Sequence, residues 1–196
     1  MSKAELKDYF NWFLAVISER IAELESAVRK TPGFSTWKAD YTPDSLGPLG
    51  NWFATQVETR PKTSEEIQDK HKLPFPEMVA DEELTDRTIS LAMDIGMYLG
   101  KTLQNNYGHL EWIQFLDNKR FIDHGQPVLV GFGKVPMNSF RIVTGLTRSI
   151  IDKRRTGERL RELYDYWAQR AAANNGGRSG ERHIDKAAKR RSRRRG

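Results

Sequence analysis

His109-Leu110-Glu111 sets a histidine and a carboxylate two residues apart, the spacing of half a zinc-deaminase signature. That chemistry takes its remaining metal ligands from a downstream cysteine pair, and the chain has no cysteine. The same absence removes disulfides, thiolate nucleophiles and cysteine-held zinc. His109, Glu111, Asp123 and His124 would form a cysteine-free metal site only if strands gathered them, and their spacing fixes no such geometry. Solvated loop residues are the simpler reading.

Gly131-Phe132-Gly133-Lys134 invites comparison with a phosphate-binding loop, which needs Gly-x-x-x-x-Gly-Lys followed by Ser or Thr so that backbone amides cradle phosphate. Here Val128 stands at the first glycine position and Val135 at the hydroxyl position, so the segment reads as a turn leaving a strand. Paired carboxylates occur at Glu65-Glu66 and Asp81-Glu82-Glu83. Acid–base work needs burial that separates their pKa values. Both clusters stand where helices are expected to begin, and acids there favour the positive end of the helix dipole. Ser139 and Ser149 lack the Gly-x-Ser-x-Gly context and a nearby histidine. No catalytic, cofactor-binding or metal-binding residue is assigned on these grounds, and no cofactor is expected.

The C-terminal end differs. Residues 174–196 hold nine Lys or Arg against two acids, a net +7, which leaves residues 1–173 at −1 although the whole chain is +6. Lys186, Lys189, Arg190, Arg191, Arg193, Arg194 and Arg195 form the candidate polyanion-binding set. Such an arm neutralises phosphates and releases their counterions, giving salt-sensitive binding without sequence preference. It carries no aromatic residue for base stacking. A solvated, solubilising tail is the competing reading. A second basic stretch, Arg148, Lys153, Arg154, Arg155, Arg159 and Arg161, interleaves with Asp152, Glu158 and Glu162 at spacings that suit intrahelical pairing.

These residues are positioned by a chain of 196 amino acids, enough for one domain of ordinary size. Five Trp, nine Phe and six Tyr supply a core. The mean hydropathy of −0.68 fits a hydrated surface. The longest apolar runs are far short of the roughly 20 residues needed to span a bilayer. The N-terminus does not read as a secretory signal, so a cytoplasmic location is expected.

Ser2 and Glu5 form a capping box, and Leu6, Phe10, Phe13, Ile17, Ile21, Leu24 and Val28 follow as one helical stripe, stopped at Thr31-Pro32-Gly33. Thr42-Pro43 opens a second helix with an irregular start, regular from Leu49 and ended by Arg60-Pro61. Thr63 to Glu66 could begin a short helix, and Leu73 to Glu77 must be extended or turn-like. Thr85 or Asp86 caps a third long helix through Ile89, Ala92, Met93, Gly96, Leu99 and Leu103, closed by Gly108 in a left-handed conformation. Gly96 and Gly100 predict close approach of another element. A strand over 110–116, a break at Asp117 to Arg120, a short strand at Phe121-Ile122 and a strand over 126–132 follow. Asn138 then caps a helix that Gly157 interrupts or kinks and that runs to about Ala173.

The expected fold is therefore α+β. It is mostly helical, with a two- or three-stranded antiparallel sheet between the third long helix and the C-terminal helices. Residues 1–173 form one globular domain and 174–196 a disordered basic tail.

Ala92-x-x-x-Gly96-x-Tyr98-Leu99-Gly100, then Trp112, then Gln126-Pro127-Val128, resembles a pattern in uncharacterised bacterial small α+β domains, some of them immunity or partner-binding proteins. The resemblance covers about a quarter of the chain and implies a protein partner, but no catalytic residue. The leading expectation is thus a non-enzymatic protein-binding domain of immunity type. A nucleic-acid-associated protein acting through the tail is the alternative, and an enzyme with an unrecognised site the third reading.

Overall fold

The computed structural model describes residues 2–116 and 119–174. Among them it contains six α-helices and two two-stranded antiparallel sheets, an α+β architecture dominated by helix. No helix among the described residues is long and apolar enough to cross a membrane.

Helix α1 spans Lys3–Arg29, and the capping box forms: the Glu5 amide donates to the Ser2 hydroxyl and the Ser2 amide to the Glu5 carboxylate. Its stripe buries Phe13, Ile17, Ile21, Leu24 and Val28. A 3-10 turn, Pro43–Ser45, leads directly into α2, Leu46–Gln56. The irregular start is therefore present, but the regular helix begins before Leu49 and ends before Arg60-Pro61. Val57 turns extended, at φ −70° and ψ 123°, because the chain there joins strand β1, Thr59–Pro61.

Strand β1 pairs with β2, Glu82–Leu84, in the register Thr59↔Leu84, Arg60↔Glu83 and Pro61↔Glu82. This hairpin base is absent from the sequence-based expectation, since three-residue strands separated by twenty residues leave no periodic signal. Between them lie α3, Ser64–His71, and a 3-10 turn, Pro76–Met78.

Helix α4, Asp86–Asn106, is the structural centre. Thr85 caps it, its hydroxyl accepting from the Thr88 amide at 3.2 Å. The helix ends through Tyr107 rather than through a left-handed Gly108; among the described residues the glycines at positive φ are Gly33, Gly125, Gly131 and Gly133.

Strands β3, Glu111–Gln114, and β4, Pro127–Val130, pair antiparallel, and Met137 bridges Leu129 through two 2.8 Å backbone bonds. Phe121-Ile122 forms no strand. The backbone there turns, with the His124 amide reaching Phe121 O and the Gln126 amide reaching Asp123 O. Asp117 and Asn118 of the expected break lie outside the described residues.

Asn138 caps α5, Ser139–Ile151, as its spacing predicts. A separate helix, α6, covers residues 159–174, so Gly157 lies between two helices instead of kinking one.

Gly100 and Gly157 explain two close approaches. A Cβ on Gly100 would sit 2.3 Å from the Trp112 ring, and one on Gly157 would sit 2.2 Å from Gly50 O. Trp112 cannot yield freely, because Phe13 meets it edge-on at 5.0 Å. Gly96 likewise seats the first turn of α5, with Phe140 backbone atoms 3.0 Å from its virtual Cβ.

Replacing Gly100 by Ala gains about 1 kcal/mol of helix propensity but incurs an overpacking cost of roughly 1–3 kcal/mol. Because the added methyl meets the Trp112 ring, Gly100→Ala should lower the urea midpoint. Gly145→Ala on α5, where a Cβ meets nothing within 4 Å, should raise it by the equivalent of about 0.5–1 kcal/mol.

Candidate functional site

Among the described residues, no group of three or more His, Asp or Glu side chains is arranged to hold a metal ion. His109, Glu111, Asp123 and His124 do not converge on one. Asp123 is almost fully buried, and its carboxylate accepts from Asn138 Nδ2 at 2.8 Å and from Arg141 at 2.7 Å. It therefore locks the 121–126 turn to the start of α5. Both nitrogens of His109 and Nδ1 of His124 are buried without a hydrogen-bond partner.

Gly131 and Gly133 take φ +114° and +98° in the turn leaving β4, as expected of a turn. Ser139 is buried in the first turn of α5, and the Ser149 hydroxyl donates to Gly145 O. Glu65-Glu66 does sit in the first turn of α3. Asp81-Glu82-Glu83 does not precede a helix directly; Glu82 and Glu83 lie in strand β2, where Glu83 pairs with Lys62 and Arg148 and Glu82 accepts from the Thr59 hydroxyl. The polyanion-binding set from Lys186 to Arg195 lies outside the described residues.

The basic stretch on the last helices is largely neutralised. Arg159 pairs with Glu162 along the helix, as the spacing predicts, and Arg161 pairs with Asp165, an acid outside the expected set. Arg154 pairs with Asp152, while Arg148 reaches Glu83 and Arg161 also reaches Asp44 across the fold. A shallow cleft of about 380 Å³ between α1, α4 and β3 is lined by Ser18, Lys101, Gln104, Glu111 and Trp112 among others, with no nucleophile–base pair in it.

The feature that stands apart is the excursion between β1 and β2. From residue 54 to residue 83 no apolar residue is buried. Helix α3 contributes nothing to the core. Yet the excursion carries Ile67, Leu73, Phe75 and Met78 at 39, 48, 63 and 80% exposure. Single exposed apolar residues are ordinary, but four within twelve positions that cover no core are an uncovered surface. Sequence reading passed over them because they fit neither helical nor strand periodicity. The available signal was Leu73-Pro74-Phe75-Pro76, apolar residues set among prolines in a stretch with no amphipathic pattern.

Ion pairs rather than apolar contacts hold this arm. Thr63 and Glu66 form a second capping box, and Arg60 grips Glu66 through two bonds of 2.8 and 2.6 Å. Lys62 and Arg148 both reach Glu83, at 2.7 and 2.6 Å, tying the hairpin base to α5. Lys70 crosses to Asp81 at 2.5 Å. The Lys62 amide donates to Asp81 O, so the arm leaves and returns at one point.

The Arg60 guanidinium, helped by the Thr63 amide, holds the Glu66 carboxyl down to about 2. Lys70 lowers Asp81, and Lys62 lowers Glu83 with help from the Leu84 amide and Arg148. A depressed carboxylate contributes stability above its ordinary pKa and loses it as pH falls through the folded value. The arm should therefore loosen between about pH 4.5 and 2, ahead of the α1–α4 core. Exchange protection, corrected for the intrinsic rate, should fall in residues 64–82 over that window while the amides of α4 stay protected.

No protein-family model, curated protein or solved structure matches this chain.

Proposed function

We propose that this chain is a non-enzymatic protein-binding domain, of the immunity type to which the pattern from Ala92 to Val128 bears a resemblance. The observation that carries the reading is the arm: Leu73, Phe75 and Met78 stand exposed on a segment that buries no apolar residue. Ordering such a segment costs conformational entropy that its own packing does not offset. A partner that covers the apolar tip supplies the missing burial, and interface energy concentrates in a few such anchors.

Purification of the full chain from native lysate should recover a stoichiometric protein. The double variant Phe75→Asp/Met78→Asp, at exposed positions, should keep the wild-type thermal midpoint yet bind that protein about thirtyfold or more weakly. Recovery of nucleic acid alone, or a partner indifferent to both substitutions, counts against the reading.

A second reading, nucleic-acid association, rests on the charge of residues 174–196. Because acids on the body occupy most of the arginines on α5 and α6, the tail would carry this affinity by itself. Deleting residues 178–196 should then abolish both nucleic-acid binding and its salt dependence. Unchanged binding removes the tail from that role.

A further inference from the structure

Residues 64–82 hold six acids and two lysines, a net −4, whereas the rest of the body, residues 1–63 and 83–173, sums to +3. The charge of the molecule is thus segregated, with its negative excess on the arm. Both arm lysines are already occupied, Lys70 by Asp81 and Lys72 by Asp69 at 2.7 Å. Glu66 is held by Arg60, and Glu82 accepts from the Thr59 hydroxyl at 2.6 Å. Glu65 and Glu77 remain exposed, with no ion pair among the described residues. Glu77 lies in the 3-10 turn Pro76–Met78, between the two most exposed apolar side chains of the arm, Phe75 and Met78.

From this arrangement, and resting on the protein-binding reading above, we infer that the arm docks on a basic protein surface. An apolar recess there takes Phe75 and Met78, and a Lys or Arg at its rim meets Glu77. Pro74 and Pro76 on either side of Phe75 restrict the backbone beforehand, which lowers the ordering cost of docking. They also present no amide hydrogen that burial would leave unpaired.

The sign of the charge excludes other occupants. Nucleic acid and anionic membrane are repelled by a negative tip. The chain's own C-terminal segment has the right charge, but its apolar content beyond residue 177 is Ile184 and two alanines, too little to cover Phe75 and Met78. A complementary basic rim gives register and a salt-sensitive association rate, while the apolar anchors give residence time.

A random peptide library displayed on phage, selected on the full chain and counter-selected on Phe75→Asp, tests this directly. The expected binders combine Lys or Arg with an aromatic or aliphatic residue. They weaken as salt is raised, and lose about tenfold in affinity against Glu77→Lys, with Glu77→Gln intermediate.

Arm-dependent binders that are acidic or uncharged, and indifferent to Glu77→Lys, overturn the basic-partner inference while leaving the protein-binding reading intact. Binders that all ignore Phe75→Asp, together with a native partner that does the same, remove the reading itself. Sedimentation showing wild-type self-association that Phe75→Asp abolishes assigns the tip to a second copy of the chain, and also overturns the inference.

Discussion

Enclosure of α4 is the constraint on which the rest of the structure depends. Eleven of its residues are buried, among them Ala92 and the unbroken run from Asp94 to Gly100, so the helix is covered on nearly every side. A helix of this kind needs neighbours all round. Helix α1 supplies one, α5 another, and β3 lays Trp112 over Gly100. The buried carboxylate of α4, Asp94, has its side chain 5% exposed and is gripped through both oxygens by Arg20 of α1, at 2.8 and 2.7 Å. Burial pushes the Asp94 carboxyl above its ordinary value, and Arg20 draws it part of the way back. The pair fixes the register of α1 against α4 more than it adds net stability, since removing two charges from water offsets much of their attraction.

The same centre explains a strained connection. Tyr41 adopts φ +59°, unfavourable for a bulky residue, and two side chains of α4 hold it there. The Tyr98 hydroxyl accepts from the Tyr41 amide at 3.0 Å, and Asn106 Nδ2 donates to Tyr41 O at 3.0 Å. Tyr98 also shares a 2.7 Å hydrogen bond with Ser45, the last residue of the 3-10 turn that begins α2. One buried phenol therefore sets where α2 starts, which is why the regular helix begins at Leu46 despite the glycines and proline in its first turn.

What was legible in the sequence was local. The caps at Ser2, Thr85 and Asn138 act within three residues and form as their types and spacing predict, whereas Thr42, which also reads as a cap before Pro43, makes no side-chain capping bond. The stripe on α1 and the close approach at Gly96 and Gly100 were legible too, because helical spacing projects directly onto contact. The pairing of β1 with β2 was not, since it depends on partners twenty residues apart in a run of two or three side chains. The end of α4 at Tyr107 was misread because Gly108 offers a left-handed turn that the chain does not use. The arm was faint for a related reason: what distinguishes Phe75 and Met78 is the lack of anything packed on them, which core periodicity does not register, and only the proline setting of Phe75 hinted at it.

The hairpin base gives the arm a particular evolutionary freedom. Its two ends meet where β1 pairs with β2 and the Lys62 amide reaches Asp81 O, so beyond the Arg60–Glu66 pair the intervening chain hangs from the body as a closed loop. Lengthening such a loop is inexpensive, about 0.6 kcal/mol for each doubling. Descendants of this protein are therefore free to exchange that stretch wholesale for one of different length or chemistry, acquiring new specificity while the enclosure of α4 stays as it is.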